Sequence, residues 1–204
     1  MGIDLQLTQL APADLAAAVD VQSRAFFDDP GFVFTFPDER SRIERLPWVM
    51  QIGIACGIRF GHVDTTAGRM LGHAVWLPPG ATSVTPDRLN EVGFADAPQR
   101  MGEQGLARFG TFMAVGSAVH ERLVPGPHWY LMILGVDPPF QGKGVGSALI
   151  QPTLSRADAD RLPCYLDTTK QRNVWFYEKH GFRVRHEEDI EGGLHVWMMV
   201  REPR

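Results

Sequence analysis

With 204 residues, 44% of them hydrophobic, the chain can bury one substantial core, and we expect a single domain over residues 1–204. A formal net charge of −4 and the lack of a lysine or arginine block argue against nucleic-acid or membrane-surface binding, since both need a basic face. Apolar runs are strand-sized and the first residues do not form a secretory signal, so we expect a soluble, cytoplasmic protein.

The N-terminal quarter predicts one short strand and two helices. A strand over 5–7 precedes a helix that begins within 11–14 and ends at 28–31, where two aspartates, a proline and a glycine follow one another. A second helical pattern, interrupted at 36–38, repeats apolar residues at spacings of three and four, which is typical of a helix that covers a sheet. These apolar residues are Ile43, Leu46, Val49, Met50 and Ile54.

The next part predicts a hairpin and then an irregular stretch. Strand-like runs over 58–63 and 70–77 are joined by a polar, glycine-containing loop. Residues 81–127 carry scattered prolines and glycines, with short helices expected over 88–92 and 103–119. This stretch either shapes a pocket or serves only as a helical packing layer.

The last part predicts a βαβ unit and a second hairpin. The run over 129–136 is aromatic and β-branched, which is typical of a strand buried on both faces. A helix and another strand follow, so a crossover unit is expected over 129–168. Strands over 182–186 and 194–200 end the pattern. The order of elements predicts an α/β fold with a mixed central sheet and helices on both faces.

The cysteines and histidines give no sign of metal or redox chemistry. Cys56 and Cys164 both lie in apolar surroundings, so we expect two reduced, buried thiols. Among the seven histidines, no pair has a zinc-like spacing with a carboxylate, and we expect no metal site.

A glycine-rich turn follows the strand over 129–136. Asp137 and two prolines end the strand, and the turn then runs from Gln141 through Gly142, Lys143, Gly144, Val145 and Gly146 to Ser147. Such a turn exposes backbone N–H groups at a helix N-terminus, where the helix dipole favours negative charge. The sequence therefore predicts a phosphate-binding turn.

Spacing excludes two common phosphate-binding loops. A P-loop needs Ser or Thr after Gly-Lys, but Gly142-Lys143 is followed by Gly144. Asp137 also stands where the first glycine of a P-loop belongs. A dinucleotide-binding fingerprint that begins at Gly142 needs glycine at position 147, and Ser147 is there instead.

The turn matches a third pattern, Gln/Arg-x-x-Gly-x-Gly/Ala, through Gln141, Gly144 and Gly146. Further on, residues 173–182 read Asn-x-x-x-Tyr-x-x-x-Gly-Phe. With these two segments the chain resembles the Gcn5-related N-acetyltransferase (GNAT) family. Within that family the run from 166 to 177 is most similar to the puromycin N-acetyltransferase group. The strong resemblance covers 128–186.

The resemblance implies a mostly antiparallel sheet of the acyl-CoA N-acyltransferase type, with acetyl-CoA as cosubstrate and no metal. It implies that one strand end binds the pantetheine arm and the thioester oxygen through its backbone, and that the glycine turn binds the pyrophosphate. The implied coenzyme-binding residues are Leu134, Gly135, Val136, Gln141, Gly142, Lys143, Gly144, Val145, Gly146, Ser147 and Asn173.

Four of these residues have structural alternatives. Gly135 is either a site of close approach to the ligand or a packing glycine. Asn173 either bonds the pantetheine arm or caps a helix. Lys143 either meets a phosphate or is solvated, and Ser147 either donates to the pyrophosphate or caps its helix.

The resemblance implies one catalytic residue, Tyr177, and the sequence offers Asp167 as a second, where the puromycin-like group has Glu. Tyr177 would be the general acid that protonates the coenzyme thiolate, although a tyrosine that only packs on the sheet fits the same pattern. Asp167, at the end of the strand after the crossover, is the candidate general base for the amine. The alternative for Asp167 is a carboxylate paired at a strand end.

We expect direct attack of a small-molecule primary amine on the acetyl thioester, through a tetrahedral intermediate. An aromatic set of Phe26, Phe32, Phe34, Phe36 and Trp48 would suit an amine with an apolar body, or these rings form core. The alternatives are O-acetyl transfer, a protein or peptide N-acetyltransferase, and a non-catalytic acyl-CoA sensor. We expect a monomer or homodimer.

Overall fold

The protein is built around a seven-stranded sheet. The structure is a computed structural model that describes residues 5–204. The strands are β1 (Leu7–Gln9), β2 (His62–Thr66), β3 (Gly72–Leu77), β4 (Trp129–Val136), β5 (Cys164–Thr168), β6 (Arg183–Ile190) and β7 (Leu194–Arg201). They lie in the order β1-β2-β3-β4-β5-β7-β6, and every neighbouring pair is antiparallel except β4 and β5. The predicted mixed, mostly antiparallel sheet is confirmed.

Helices cover both faces of this sheet, as predicted. They are α1 (Leu15–Phe26), α2 (Pro30–Thr35), α3 (Glu39–Phe60), α4 (Pro86–Glu91), α5 (Ala97–Leu123), α6 (Val145–Ala159) and α7 (Gln171–Lys179). Ala74 and Trp76 of β3 pack with Leu149 of α6 and Tyr177 of α7. Val75, between them, packs on the opposite face with residues of α1 and α3, because successive strand residues alternate.

The predicted elements of the first half need three corrections. The first strand lies at Leu7–Gln9, later than expected. The α1 helix ends at Phe26, before the expected stop at 28–31, and α2 begins within that stop at Pro30, because Asp29 accepts a hydrogen bond from the Gly31 N–H as its N-cap. Ile43 is 59% exposed, although the other apolar residues of its pattern are buried or partly buried.

The predicted strand over 58–63 is wrong in its first half. The α3 helix continues to Phe60, and β2 begins at His62. Gly61 ends the helix where the chain lies against β3, since an added Cβ would collide with the backbone oxygen of Trp76. The close approach that needs this glycine is a tertiary contact, so local periodicity did not reveal it.

An extra residue in β4 changes the direction of its side chains. Val75 of β3 pairs with Ile133, but the next residue, Trp76, pairs with Leu131, so Met132 is a bulge. On the N-terminal side of the bulge, Leu131 packs towards α6 and α7. On its C-terminal side, Leu134 and Val136 pack towards the same two helices. Gly135 consequently faces α1.

The two parallel strands diverge after a short contact. Trp129 pairs with Cys164 and Tyr130 with Tyr165, and no further β4–β5 pair is formed in the described part of the chain. Residues 132–134, in the middle of the sheet, are accordingly only partly buried. A gap therefore separates β4 from β5 beyond Tyr130, at the edge where the turn before α6 and the start of α7 lie.

The irregular region 81–127 folds mainly as α5. This helix is kinked at Gly102, where φ is 69° and ψ is 163°, and it packs on α2, α3, β6 and β7. Val119 lies in one core cluster with Tyr130 and Tyr165. The region is therefore a packing layer, and it also reaches the face of β4 and β5 opposite α6.

Both cysteines are buried free thiols, as predicted, and burial raises the pKa of each. Among residues 5–204, no helix is both long and apolar enough to cross a membrane.

Candidate active site

The glycine turn presents a row of free backbone donors. Gly142 and Gly144 adopt φ values of 73° and 87°, in the left-handed region that favours glycine. Within residues 5–204, the N–H groups of 142–147 donate to no acceptor, whereas the next one, of Ala148, donates to the Gly144 carbonyl. Because these donors meet at the N-terminus of α6, the turn suits a phosphate group.

The side chains of the turn are held by neighbours. Gln141 donates from Nε2 to the Val136 carbonyl at 3.0 Å. The Ser147 hydroxyl lies 3.0 Å from Nε2 of His180, and α6 has no side-chain cap, so the cap alternative for Ser147 is wrong. The Lys143 ammonium lies 5.5 Å from the Phe140 ring centroid and is exposed.

The gap between β4 and β5 lies beside the turn. Its β4 side is formed by residues 131–136, whose backbone lacks β5 partners after Tyr130. Gly135 packs closely on α1, since an added Cβ would lie 2.7 Å from Cδ of Gln22. The turn and the gap together fit an extended molecule with a phosphate group at one end.

Tyr177 of α7 lies in the α6-side core. Its ring makes edge contacts with Phe176 and Phe182, and the residue is 6% exposed. Its hydroxyl forms no hydrogen bond to any of the residues from 5 to 204. Burial raises the pKa of Tyr177, and the negative charges of Asp167 and Asp29 raise it further. At neutral pH the phenol therefore keeps its proton and is able to donate it.

Asp167 of β5 lies on the other side of the gap. Its carboxylate accepts a hydrogen bond from the Tyr130 hydroxyl at 3.3 Å. Burial raises the pKa of Asp167 to about 6, against the opposing effect of the Tyr130 hydrogen bond. The carboxyl is therefore mainly ionised at pH 7 and able to accept a proton.

Asn173 lies in the first turn of α7 and does not cap it. The helix begins at Gln171, and its N-cap position is Lys170. The Asn173 amide instead donates to the Thr168 hydroxyl at 3.0 Å, which ties α7 to the end of β5. The N-cap alternative is therefore wrong, and a role in binding the pantetheine arm stays a prediction.

Part of the chain that forms this site matches a known protein family. Residues 102–184, which contain the gap, the turn and Tyr177, match the sequence profile of the family described as acetyltransferase (GNAT) domain. The segment that holds the site is thus similar to GNAT acetyltransferases. The finer resemblance to the puromycin N-acetyltransferase group stays a prediction.

Two curated relatives match the chain over most of its length. The chain is 26% identical over 189 residues to an uncharacterized N-acetyltransferase of Schizosaccharomyces pombe, covering 88% of this chain and 76% of that protein. It is 24% identical over 198 residues to a probable serine/threonine-protein kinase of Dictyostelium discoideum. That match covers 89% of this chain but 21% of the kinase, so this chain spans about a fifth of that relative.

Solved structures of acetyltransferases share the fold. A Corynebacterium glutamicum protein described as histone acetyltransferase HPA2 and related acetyltransferase is 22% identical, with a TM-score of 0.74 over 99% of this chain and 98% of that one. Arylalkylamine N-acetyltransferase 2 of Aedes aegypti is 13% identical, with a TM-score of 0.64 over 99% and 100%. Drosophila melanogaster polyamine N acetyltransferase is 15% identical, with a TM-score of 0.60 over 98% and 100%. The predicted acyl-CoA N-acyltransferase fold is confirmed.

Sequence reasoning missed a buried anchor at Asp29. Its carboxylate accepts hydrogen bonds from the Gly31 N–H at 3.0 Å and from the Thr169 hydroxyl at 2.7 Å. The Lys170 ammonium lies 3.6 Å from the same carboxylate. Asp29 therefore fixes the start of α2 to the end of β5, two residues beyond Asp167. The partners are 140 residues apart, so no local pattern links them.

Sequence reasoning also missed an aromatic cluster beside Asp167. The His120 ring of α5 stacks on Tyr165 at 3.8 Å and lies 4.7 Å from the Tyr130 ring. His120 and His128 are joined through their Nε2 atoms at 2.7 Å. Burial lowers the pKa of His120 to about 3, so the imidazole is neutral at pH 7. The stretch 81–127 thus contributes one ring, His120, to a neutral aromatic wall that it forms with Tyr130 and Tyr165 next to the candidate base.

The predicted aromatic set mainly forms core. Phe26, Phe32, Phe36 and Trp48 belong to the cluster between α1, α2, α3 and α5. Phe34 instead packs beside Ile190 and Leu194, in the cluster that contains Tyr130 and Tyr165. Only Phe34 of the five therefore lies in the same cluster as the aromatic wall.

In the part of the chain from residue 5 onward, no group of three or more His, Cys, Asp or Glu side chains is arranged to hold a metal ion.

Proposed function

We propose that residues 1–204 act as one acetyl-CoA-dependent N-acetyltransferase domain whose acceptor is a small-molecule primary amine. The observation that carries this proposal is the gap between β4 and β5, with free N–H donors at one end and Asp167 and Tyr177 beside it. Few other ligands combine a pyrophosphate with a long, narrow arm, as the turn and the gap require.

The coenzyme half of the site would be held largely by backbone. The N–H groups of 142–147 would bind the pyrophosphate, and the unpaired edge of β4 at 134–136 would bind the pantetheine arm. Lys143 is exposed beside the turn and would add a positive charge. When bound, acetyl-CoA supplies an acetyl thioester, whose C–S bond breaks as a C–N bond to the amine forms.

Two side chains would move protons. Asp167 takes a proton from the amine nitrogen, for which a carboxylate with a pKa near 6 is well suited at neutral pH. Tyr177 gives its phenolic proton to the departing sulfur, because its raised pKa keeps it protonated until that moment. Tyr130 orients the carboxylate of Asp167 through its hydroxyl.

The surroundings of Asp167 favour an amine with an aromatic or apolar body. His120, Tyr130 and Tyr165 line the acceptor side with rings, and each is neutral at pH 7. The carboxylate supplies the one negative charge among them, which would attract an ammonium group before deprotonation. Arylalkylamine and polyamine acetyltransferases share this fold, which supports small amines as the acceptor class.

The test is release of CoA thiol from acetyl-CoA in the presence of arylalkylamines, polyamines, agmatine and aminonucleosides. We expect one thiol for each acetylated amine, with the highest kcat/KM for amines that carry a ring. Binding of CoA without amine-dependent thiol release would contradict catalysis and support the acyl-CoA sensor. Thiol release with peptides alone would assign the acceptor to proteins.

A further inference from the structure

Two positive side chains lie over one aromatic ring beside the glycine turn. The Arg69 guanidinium lies 4.7 Å from the centroid of the Phe140 ring, and the Lys143 ammonium lies 5.5 Å from it. Both side chains are exposed, and within residues 5–204 neither is ion-paired with a carboxylate. The attraction of a cation to a ring is weak at an exposed site, and the two positive charges repel each other. The pair is therefore suited to a ligand with a high negative charge.

Arg69 belongs to the loop between β2 and β3, and hydrogen bonds hold this loop against the end of β4. The Thr66 hydroxyl donates to the Arg69 carbonyl at 2.8 Å and accepts from the Leu71 N–H at 2.9 Å. The Leu71 carbonyl in turn accepts from the Asp137 N–H at 2.8 Å, directly after β4. The backbone of Arg69 is thus fixed beside the turn, although the two segments are far apart in the sequence.

The gap and Arg69 lie on opposite sides of β4. In the sheet β4 lies between β3 and β5, and the gap is on the β5 side. Arg69 is on the β3 side, because its loop leads into β3. A molecule with its pyrophosphate at the turn and one arm in the gap must therefore extend its other end away from the gap. On the β3 side, that end would meet Arg69 and Lys143.

We propose that Arg69 and Lys143 bind the 3′-phosphate of CoA and thereby select CoA over dephospho-CoA. The assignment rests on the proposed function, which puts the pyrophosphate at the turn and the pantetheine arm in the gap. A phosphate monoester carries a charge of about −1.5 to −2 at pH 7, more than either phosphate of the pyrophosphate linkage. The guanidinium of Arg69 presents paired N–H donors to phosphate oxygens, and Lys143 adds a point charge.

The test compares two ligands on the full chain by calorimetry. Dephospho-CoA differs from CoA only by the missing 3′-phosphate. We expect Arg69→Gln to weaken CoA binding about tenfold, the effect of losing hydrogen bonds to a charged group, and to leave dephospho-CoA binding unchanged. Arg69→Lys should keep most of the preference for CoA, because it keeps the positive charge.

Arg59→Gln is the matched control, since Arg59 is another exposed arginine over a phenylalanine ring, 5.3 Å from the centroid of Phe60. It precedes β2, whereas Arg69 follows that strand, so the two lie at opposite ends of β2. The control should leave the affinity for both ligands unchanged. Unchanged CoA binding by Arg69→Gln, or equal weakening of CoA and dephospho-CoA binding, would overturn the proposal. So would a loss of the preference for CoA in Arg59→Gln as large as that in Arg69→Gln.

Failure of this proposal is distinct from failure of the proposed function. If the unaltered protein bound neither CoA nor dephospho-CoA, the coenzyme assignment itself would fall, and the role of Arg69 with it. If the unaltered protein bound both equally tightly, the coenzyme assignment would stand, and recognition of the 3′-phosphate alone would be wrong.

Discussion

The two halves of the candidate site are built in different ways. The α6 side consists of the turn at 141–147 and the helix that carries Tyr177, and it depends on backbone N–H groups and on residues close in sequence. The opposite side consists of Asp29, His120, Tyr130 and Asp167, which are joined by contacts between distant elements. Local chemistry thus defines the proposed coenzyme side, whereas tertiary packing defines the proposed acceptor side.

The two halves of the site should respond differently to mutation. Changes on the coenzyme side should act on one step or one ligand, since each residue there works through its own atoms. Changes on the acceptor side should act on several properties together, since each residue there also supports its neighbours. Five substitutions, three of them with a matched control, test this contrast.

Tyr177→Phe should have the largest effect and change one step. The variant keeps the buried ring and loses only the hydroxyl, so we expect kcat to fall about a thousandfold, within the range for loss of a general acid. The affinity for CoA and the melting temperature should stay close to those of the unaltered protein. Steady-state kinetics, calorimetry and thermal melts measure the three quantities.

Tyr165→Phe is the control, because Tyr165 is also buried and its hydroxyl also lacks a partner. It should keep kcat within about threefold, since the hydroxyl of Tyr165 is not assigned a proton transfer. A kcat for Tyr177→Phe as high as that of Tyr165→Phe would remove Tyr177 as the general acid.

Asp167→Asn should lower kcat about a hundredfold, because the amide cannot accept a proton from the amine. The pH dependence is more specific. With a pKa near 6, the base is active as the carboxylate, so kcat of the unaltered protein should rise with pH through about 6 and then level off. This rise should be missing in Asp167→Asn.

Tyr130→Phe tests the same candidate base through the direction in which the pKa of Asp167 moves. The hydrogen bond from Tyr130 lowers the pKa of Asp167, so its removal should raise that pKa and move the rise in kcat to higher pH. A profile that does not move in Tyr130→Phe, or a rise near pH 6 that survives Asp167→Asn, would show that another group is the base.

Asp29→Ala should lower the free energy of unfolding by about 2 kcal/mol, since it removes a helix cap, a buried hydrogen bond and the partner of Lys170. Asp38→Ala is the control. Asp38 caps α3 through the Ser41 N–H at 2.8 Å, but it is exposed and lacks the further ties of Asp29. It should therefore cost only about 1 kcal/mol in urea unfolding.

The activity of Asp29→Ala tests the acceptor side directly. Because Asp29 fixes α2 to the end of β5, we expect KM for the amine to rise while CoA affinity is unchanged. An equal loss of stability in Asp29→Ala and Asp38→Ala, with no change in KM, would reduce Asp29 to an ordinary helix cap.

Gly144→Ala should have the smallest effect. A Cβ there meets no atom within 4 Å, so the cost is that of a left-handed backbone, about 1 kcal/mol, together with a roughly fivefold loss of CoA affinity. Gly80→Ala is the matched control, since Gly80 has a φ of 83° and is equally free of neighbours but lies far along the chain from the turn. It should lose similar stability and no CoA affinity.

The same contrast explains what could be predicted from the sequence. The strand at 129–136, the turn and the helix with Tyr177 were predictable, because each has a local pattern and a fixed spacing. The sequence also predicted two buried free thiols, which the structure confirms. Helix and strand order sufficed for the mixed sheet, because a crossover between neighbouring strands makes them parallel.

The acceptor side could not be predicted, because nothing local links its residues. Asp29 and Thr169 are 140 positions apart, and Tyr130 and Asp167 are 37 apart. His120 lies in a stretch whose glycines and prolines hid a 27-residue helix.

The bulge at Met132 reverses the face of the sheet to which each later β4 side chain points. Strand side chains alternate with a period of two, so one added residue exchanges the two faces for every position that follows. Deleting Met132 would turn Gly135 towards α6 and point the side chains of Leu134 and Val136 at α1. The identity of a single side chain there matters little, whereas the number of residues between Leu131 and Gly135 decides which helix each later residue meets.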